Sequence, residues 1–226
     1  MTGKDFVDNI LYDSDRLQNL TADLTYRTMA LGWLNLVLKD ISSRQENYHW
    51  RFLEKTSYFD TEINQMSYDL PTDIDGYKIF SVRRADGDMR IDYVDQHIFD
   101  KYIPDPTTSG GNPDWYTLWA AQMKLWPIPG SVISIYRRYI KTITLLADNA
   151  SSITDIPSKW DDVILAGALI KARRFDSKDY SIEKVDYENG ILRMKSDNSM
   201  ILDYNNIAES HRLGGRRIPW ASPAGQ

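Results

Sequence analysis

Three histidines, His49, His97 and His211, are where metal or acid–base chemistry would start, and their spacing works against both. None has a second His or a Glu four residues away, the interval that puts two ligands on one helix face. A metal site or a Ser/His/Asp constellation would have to be assembled by the fold from distant residues. The segment Asp86-Gly87-Asp88-Met89-Arg90-Ile91 offers carboxylates at the first and third positions of a calcium loop. Its fifth position is Arg90, and Ile91 stands where that loop turns on glycine, so it reads as a charged turn. Ser109-Gly110-Gly111-Asn112 lacks the Lys-Ser/Thr of a phosphate-binding loop and reads as a flexible loop. Asp161 and Asp162 open a helical pattern, where the helix dipole accounts for them better than paired acid–base work. Arg137 and Arg138 fall in a strand pattern and point to opposite faces, which dilutes any basic patch. Cysteine is absent, which removes disulfides, thiolate zinc sites and Cys nucleophiles together. No catalytic, cofactor or metal-ligating residue is assigned.

Two groups remain as candidate partner contacts. Arg212, Arg216 and Arg217 cluster near Trp220, residue types that anchor interfaces on acidic or aromatic grooves. The alternative is a solvated C-terminus. Ser109, Gly110, Gly111 and Asn112 lie in a polar, Gly-rich stretch beside strands, a usual setting for a binding loop.

The 226 residues are enough to bury a core, and 42 % hydrophobic with 26 % charged residues is ordinary for a soluble globular chain. Seven Trp and fourteen Tyr are many, and such rigid aromatics favour extensive packed surface, internal or between subunits. A formal charge of −5 argues against a protein that coats nucleic acid. Lys4, Asp5 and Asp8 interrupt any signal-peptide pattern, and the longest apolar run, 163–170, is too short to span a bilayer, so the chain reads as soluble and away from membranes.

Residues 4–11 predict a short helix. From 22 to 42, Tyr26, Met29, Ala30, Trp33, Val37 and Ile41 recur at intervals of three and four, with Leu34 and Leu38 widening the stripe, and Thr21 or Asp23 as cap. Between 48 and 71 two alternating runs read as strands joined by a polar turn; 76–84 is a third strand, and a tight turn at 85–88 leads into Met89–Val94. Residues 97–103 suit one or two helical turns. Period-two runs flanking Pro127-Ile128-Pro129-Gly130 predict a β-hairpin over 116–141, with Gly130 supplying a positive φ. Helix 158–175 starts on Ser158 and Asp161, which resemble a capping box, and carries Trp160, Val163, Ile164, Gly167, Ala168 and Lys171 on one stripe. Residues 179–200 fit either a hairpin turning at Asn189-Gly190 or a helix. Beyond about 205 the Gly, Pro and Arg content reads as an extended tail.

These elements predict an α+β fold: a helical bundle of N- and C-terminal helices, 1–47 with 155–200, with Trp33 and Trp160 buried between them. An antiparallel β region, 48–150, is inserted, and 201–226 forms an extended C-terminal tail.

Taken in order, Trp33-Leu34-Asn35, Trp50-Arg51-Phe52, Tyr68-Asp69-Leu70-Pro71, Leu125-Trp126-Pro127-Ile128-Pro129 and the helix after Ile156-Pro157 resemble the head–tail adaptor (connector) proteins of tailed bacteriophages. Adaptor-type tail tubular proteins of short-tailed phages are similar. The likeness covers about 20–195, and the Asn-Gly pair and the insertion at 105–114 depart from the usual pattern. It implies a structural, non-enzymatic virion protein of the neck, without cofactors and assembled in the host cytoplasm. It also implies a ring of about twelve copies that docks on the portal protein, contacts neighbouring copies and a downstream tail or nozzle protein, and surrounds the DNA ejection channel. An acidic lumen suits DNA that passes through without specific binding. The resemblance further implies a helix over 179–200. Two other classes stand beside it: a small enzyme with a fold-assembled site, and a monomeric β-rich binding module.

Overall fold

The computed structural model describes residues 1–13, 24–44, 49–86, 89–102 and 110–210, the last eleven of these by backbone alone. The chain divides into two compact units, 1–41 with 145–226, and 42–144.

The first unit contains α1 (Gly3–Asp13), α2 (Leu24–Ser43), α4 (Asp161–Phe175) and α5 (Ser181–Ser210). In α1, Phe6, Val7, Ile10 and Leu11 recur on one face and are buried. The buried face of α2 is Ala30, Leu34, Val37, Leu38 and Ile41. Small residues set the packing of α4. A Cβ on Gly167 would lie 2.7 Å from Val37 Cγ1 and 2.8 Å from Tyr187 Cε2, so α2 and α5 both approach the backbone there. One turn along the interface, a Cβ on Gly190 would lie 2.5 Å from Val163 Cγ2. Polar clamps fix the surroundings. Arg27 in α2 donates twice to Asp148 and once to Asp8, each at 2.7 Å, and these carboxylates raise its pKa. The Asn35 amide bonds the Leu146 backbone both ways, at 3.0 and 2.9 Å. Tyr187 donates to Asp40 at 2.6 Å.

The second unit is built on a seven-stranded sheet ordered β1-β9-β3-β4-β6-β7-β2. Its strands are β1 (Glu54–Asp60), β2 (Ser67–Asp69), β3 (Ile74–Arg84), β4 (Arg90–Tyr93), β6 (Trp115–Trp119), β7 (Gln122–Trp126) and β9 (Ser134–Lys141). A two-stranded pair, β5 (Gly110–Gly111) with β8 (Ile128–Pro129), and helix α3 (Gln96–Tyr102) complete it. All seven-strand pairings are antiparallel except β4 with β6. The sheet curls so that its outer strands meet: Phe59 of β1 and Tyr68 of β2 have ring centroids 5.1 Å apart. Meeting edges leave fewer open main-chain groups to pair with another chain. Tyr68, Val82, Ile91, Tyr116, Met123, Leu125 and Ile135 form the core inside. A bulge between Ile79 and Ser81 shifts the inward parity, so that Ile79 and Val82 both pack on that core.

Several expectations are corrected. The α+β class holds, but the molecule is not a helical bundle with an inserted antiparallel β region, because a seven-stranded mixed sheet is its largest element. Its pairings join segments as far apart as β1 and β9, which no local periodicity reveals. The tail does not begin at 201, because α5 runs thirty residues to Ser210. The helix over 181–210 also resolves the Asn189-Gly190 alternatives: the glycine marks close packing on Val163, not a turn.

The hairpin is corrected too. β7 and β9 are not neighbours, and Gly130 has no positive φ. The hairpin is β6–β7, turning on Ala120 (φ 52°) and Ala121 (φ 61°). Two positive φ values are the signature of a type I′ turn, whose usual Asn-Gly is absent here. The Ser158 capping box does not form either, since neither the preceding 3₁₀ turn nor α4 has a side-chain cap. Trp33 and Trp160 are half-exposed, with Trp33 against Phe175 at 5.7 Å. Thr21 and Asp23 lie outside the described residues.

Candidate interaction surfaces

The residues weighed for catalysis take up structural duties. His49 Nε2 lies 2.9 Å from Glu54 Oε1, and its ring lies 4.3 Å from that of Phe80. His97 is exposed, and its backbone N–H donates to Asp95 at 2.9 Å. Asp86 faces Arg84 Nε at 3.4 Å, while Asp88 lies outside the described residues. Asp161 accepts the Met1 ammonium at 2.6 Å, and Asp162 lies 3.6 Å from Arg193. Among the described residues no group of three His, Cys, Asp or Glu is placed to hold a metal ion.

The two strand arginines separate as the alternation predicts. Arg138 is exposed. Arg137 is buried, donating to Ser57 Oγ at 3.0 Å and to the Asp69 carbonyl at 2.9 Å, and lying 4.8 Å over the Phe59 ring. Its loss of water lowers its pKa. It ties β9 to both outer strands, a role visible in sequence only as Arg137 sharing parity with Ile135 and Tyr139.

The Gly-rich segment is seated, not free, at its centre. Gly110 and Gly111 pair in parallel with Ile128 and Pro129, and the Gly130 N–H donates to the Gly111 carbonyl at 3.0 Å. Asn64 N–H holds the same ridge through the Pro129 carbonyl at 3.0 Å. The Pro-Ile-Pro-Gly stretch thus serves as a rail for the Gly-Gly strand. Asn112 is exposed beside it, and Ser109 lies outside the described residues. So do Arg212, Arg216, Arg217 and Trp220.

A feature that sequence reasoning missed lies in the sheet. A cavity of about 430 Å³ opens between β3, β4 and β6. Tyr116 and Ile91 are buried at its base, while Tyr77 and Tyr93 stand more than half exposed at its rim. Burial pushes the Tyr116 phenol up to about 12. A wider hollow of about 560 Å³ adjoins it at Tyr77, along Leu70-Pro71-Thr72. Alternation in β3 hints at aromatic exposure, but only the three-strand arrangement makes a cleft.

A family model described as SU10 adaptor protein matches residues 1–206. No curated protein matches the chain. Among the described residues no helix is long and apolar enough to cross a membrane.

Proposed function

The chain belongs to the SU10 adaptor protein family, structural proteins of the bacteriophage virion, and from that premise we propose that it is the head–tail adaptor subunit of the neck. About a dozen copies form a closed ring that docks on the portal protein and carries the downstream tail or nozzle protein. The family match over 1–206 is the observation that carries this reading. DNA passes through the ring without specific binding, in keeping with the formal charge of −5.

Two contact sets follow from the same reading. Arg212, Arg216, Arg217 and Trp220 engage acidic and apolar groups on the portal or a neighbouring copy, with the cost of ordering met by the interface. Ser109, Gly110, Gly111 and Asn112, carried on the Pro-Ile-Pro-Gly rail, meet the tail component. The protein acts by assembly and not as an enzyme. The deciding experiment is to incubate purified protein with the portal protein of the same phage and image the product by electron microscopy. Rings seated on the portal support the proposal, and portal particles that remain bare at saturating protein overturn it. Truncation at Asn205 is expected to weaken docking while leaving the far-ultraviolet circular dichroism of the sheet unchanged.

A further inference from the structure

We propose that the cleft between β3, β4 and β6 receives an extended, uncharged peptide segment of a partner protein as an added strand, an inference that rests on the adaptor reading. β3 and β6 flank β4 in the sheet, so they stand two strand spacings, roughly 10 Å, apart. β4 bridges them only briefly. It pairs with β3 at Val82↔Ile91 and Arg83↔Arg90, and with β6 at Asp92↔Trp115 and Tyr93↔Tyr116. The Val94 N–H makes the last bond of this row, to the Tyr116 carbonyl at 2.8 Å, and the chain then turns into α3.

Beyond that point β3 continues through Phe80 and Ile79 to Ile74, and β6 continues to Trp119. Among the described residues neither has a strand neighbour on the side facing this row. The row is closed at its far end where the Ala121 N–H donates to the Tyr77 hydroxyl at 3.3 Å, so the opening is one strand wide and spans the three residues 117–119 of β6. Its length, roughly 10 Å, matches three or four extended residues.

The walls specify what fits. Open strand edges on both sides ask for main-chain donors and acceptors, the chemistry of strand addition. Ile79 and Leu118 are partly buried against the core, and Phe80 and Tyr93 are exposed, so side chains on the added strand meet apolar surfaces. The Ser81 hydroxyl lines the cleft, is shut off from solvent and has no hydrogen-bond partner. Buried hydroxyls in that condition are rare and costly, and a peptide carbonyl or N–H in the row would satisfy it. Arg90, the charged residue of the lining, is already 3.2 Å from Asp92, so the cleft offers no unmatched charge and favours an uncharged occupant.

The test is hydrogen exchange on the full chain alone, on its rings alone, and on rings assembled with the purified portal and tail proteins of the same phage. Exchange at Ile79, Phe80 and Leu118 is expected to slow by about tenfold or more only when a partner protein is present, while Trp119, whose main chain faces β7, serves as an internal control. Ser81→Ala should not lower the melting temperature and should raise it slightly, because the buried hydroxyl bonds nothing in the free chain, and should weaken partner attachment by about fivefold, the worth of one hydrogen bond. Unchanged exchange in complete assemblies overturns the inference and leaves the adaptor reading intact. Protection in rings of this chain alone assigns the cleft to a second copy and equally overturns it. Failure to assemble with either partner removes both.

Discussion

Replacing Gly190 by alanine in α5 sets two known effects against each other. Alanine is the better helix former by about 1 kcal/mol, so an exposed glycine at this position would be improved by the change. Here the new Cβ would lie 2.5 Å from Val163 Cγ2 and 2.9 Å from Cγ1, where carbon pairs prefer roughly 3.5–4.0 Å. Val163 is fully buried and β-branched, so in α4 it has one favoured rotamer and cannot swing aside. Nor can α5 retreat, because Tyr187, one turn earlier, is wedged at Gly167 and bonded to Asp40. Overpacking of this kind costs about 1–3 kcal/mol, and after the propensity gain the net loss is about 1 kcal/mol. Urea unfolding followed by circular dichroism measures it as a lower midpoint at constant slope. The partner variant Val163→Ala makes the test specific. It removes the two methyls that clash, so the double variant should be more stable than the sum of the singles by about 1 kcal/mol. A neutral or stabilising Gly190→Ala, or strict additivity with Val163→Ala, would refute the close approach of α4 and α5.

The other expectations are briefer. Ala121→Gly in the β6–β7 turn should raise stability by about 0.5–1 kcal/mol, read as a higher urea midpoint, because a positive φ costs a Cβ-bearing residue and not glycine. Leu34→Ala, at a fully buried site, should cost about 2–5 kcal/mol, and Trp33→Ala on the half-exposed side of the same helix clearly less, both by urea unfolding. The Tyr116 phenol is held neutral by burial, its pKa raised to about 12 against an unfolded value near 10. Its contribution is therefore complete below pH 10 and is lost as pH rises toward 12, and Tyr116→Phe should flatten that alkaline decline in the unfolding midpoint.

The helices were legible because each carries its own periodicity. α1, α2, α3 and α4 appear where apolar residues recur at three and four, and the adaptor likeness rested on motifs now seen to have duties, such as Asn35 clasping Leu146. The stripe of α2 was read one notch off its axis, favouring Trp33 over Leu34, since hydrophobicity alone does not say which flank meets a neighbour. Strand positions were also legible, but their partners were not. Residues 118–125 keep an unbroken alternation through a two-residue turn that lacks any glycine or asparagine, so the true hairpin was invisible and the proline-rich stretch took its place. The cleft was beyond reach for the same reason. It depends on β4 ending while β3 and β6 continue, a relation among three segments that composition cannot encode.

The division of the helical unit between the two ends of the chain has a consequence for synthesis on the ribosome. The apolar faces of α1 and α2 leave the exit tunnel first, but the groups that complete their surroundings, Leu146, Asp148 and Gly167, arrive only after the whole of 42–144. At about 5–20 residues per second, the roughly 130 residues from the end of α2 to the end of α4 take on the order of 7–26 s. During that interval Leu34, Leu38 and Ile41 wait without the helices that will cover them, while the sheet already has every strand it needs. The inserted unit thus has its full complement of strands first, and the two-ended unit is completed only after it.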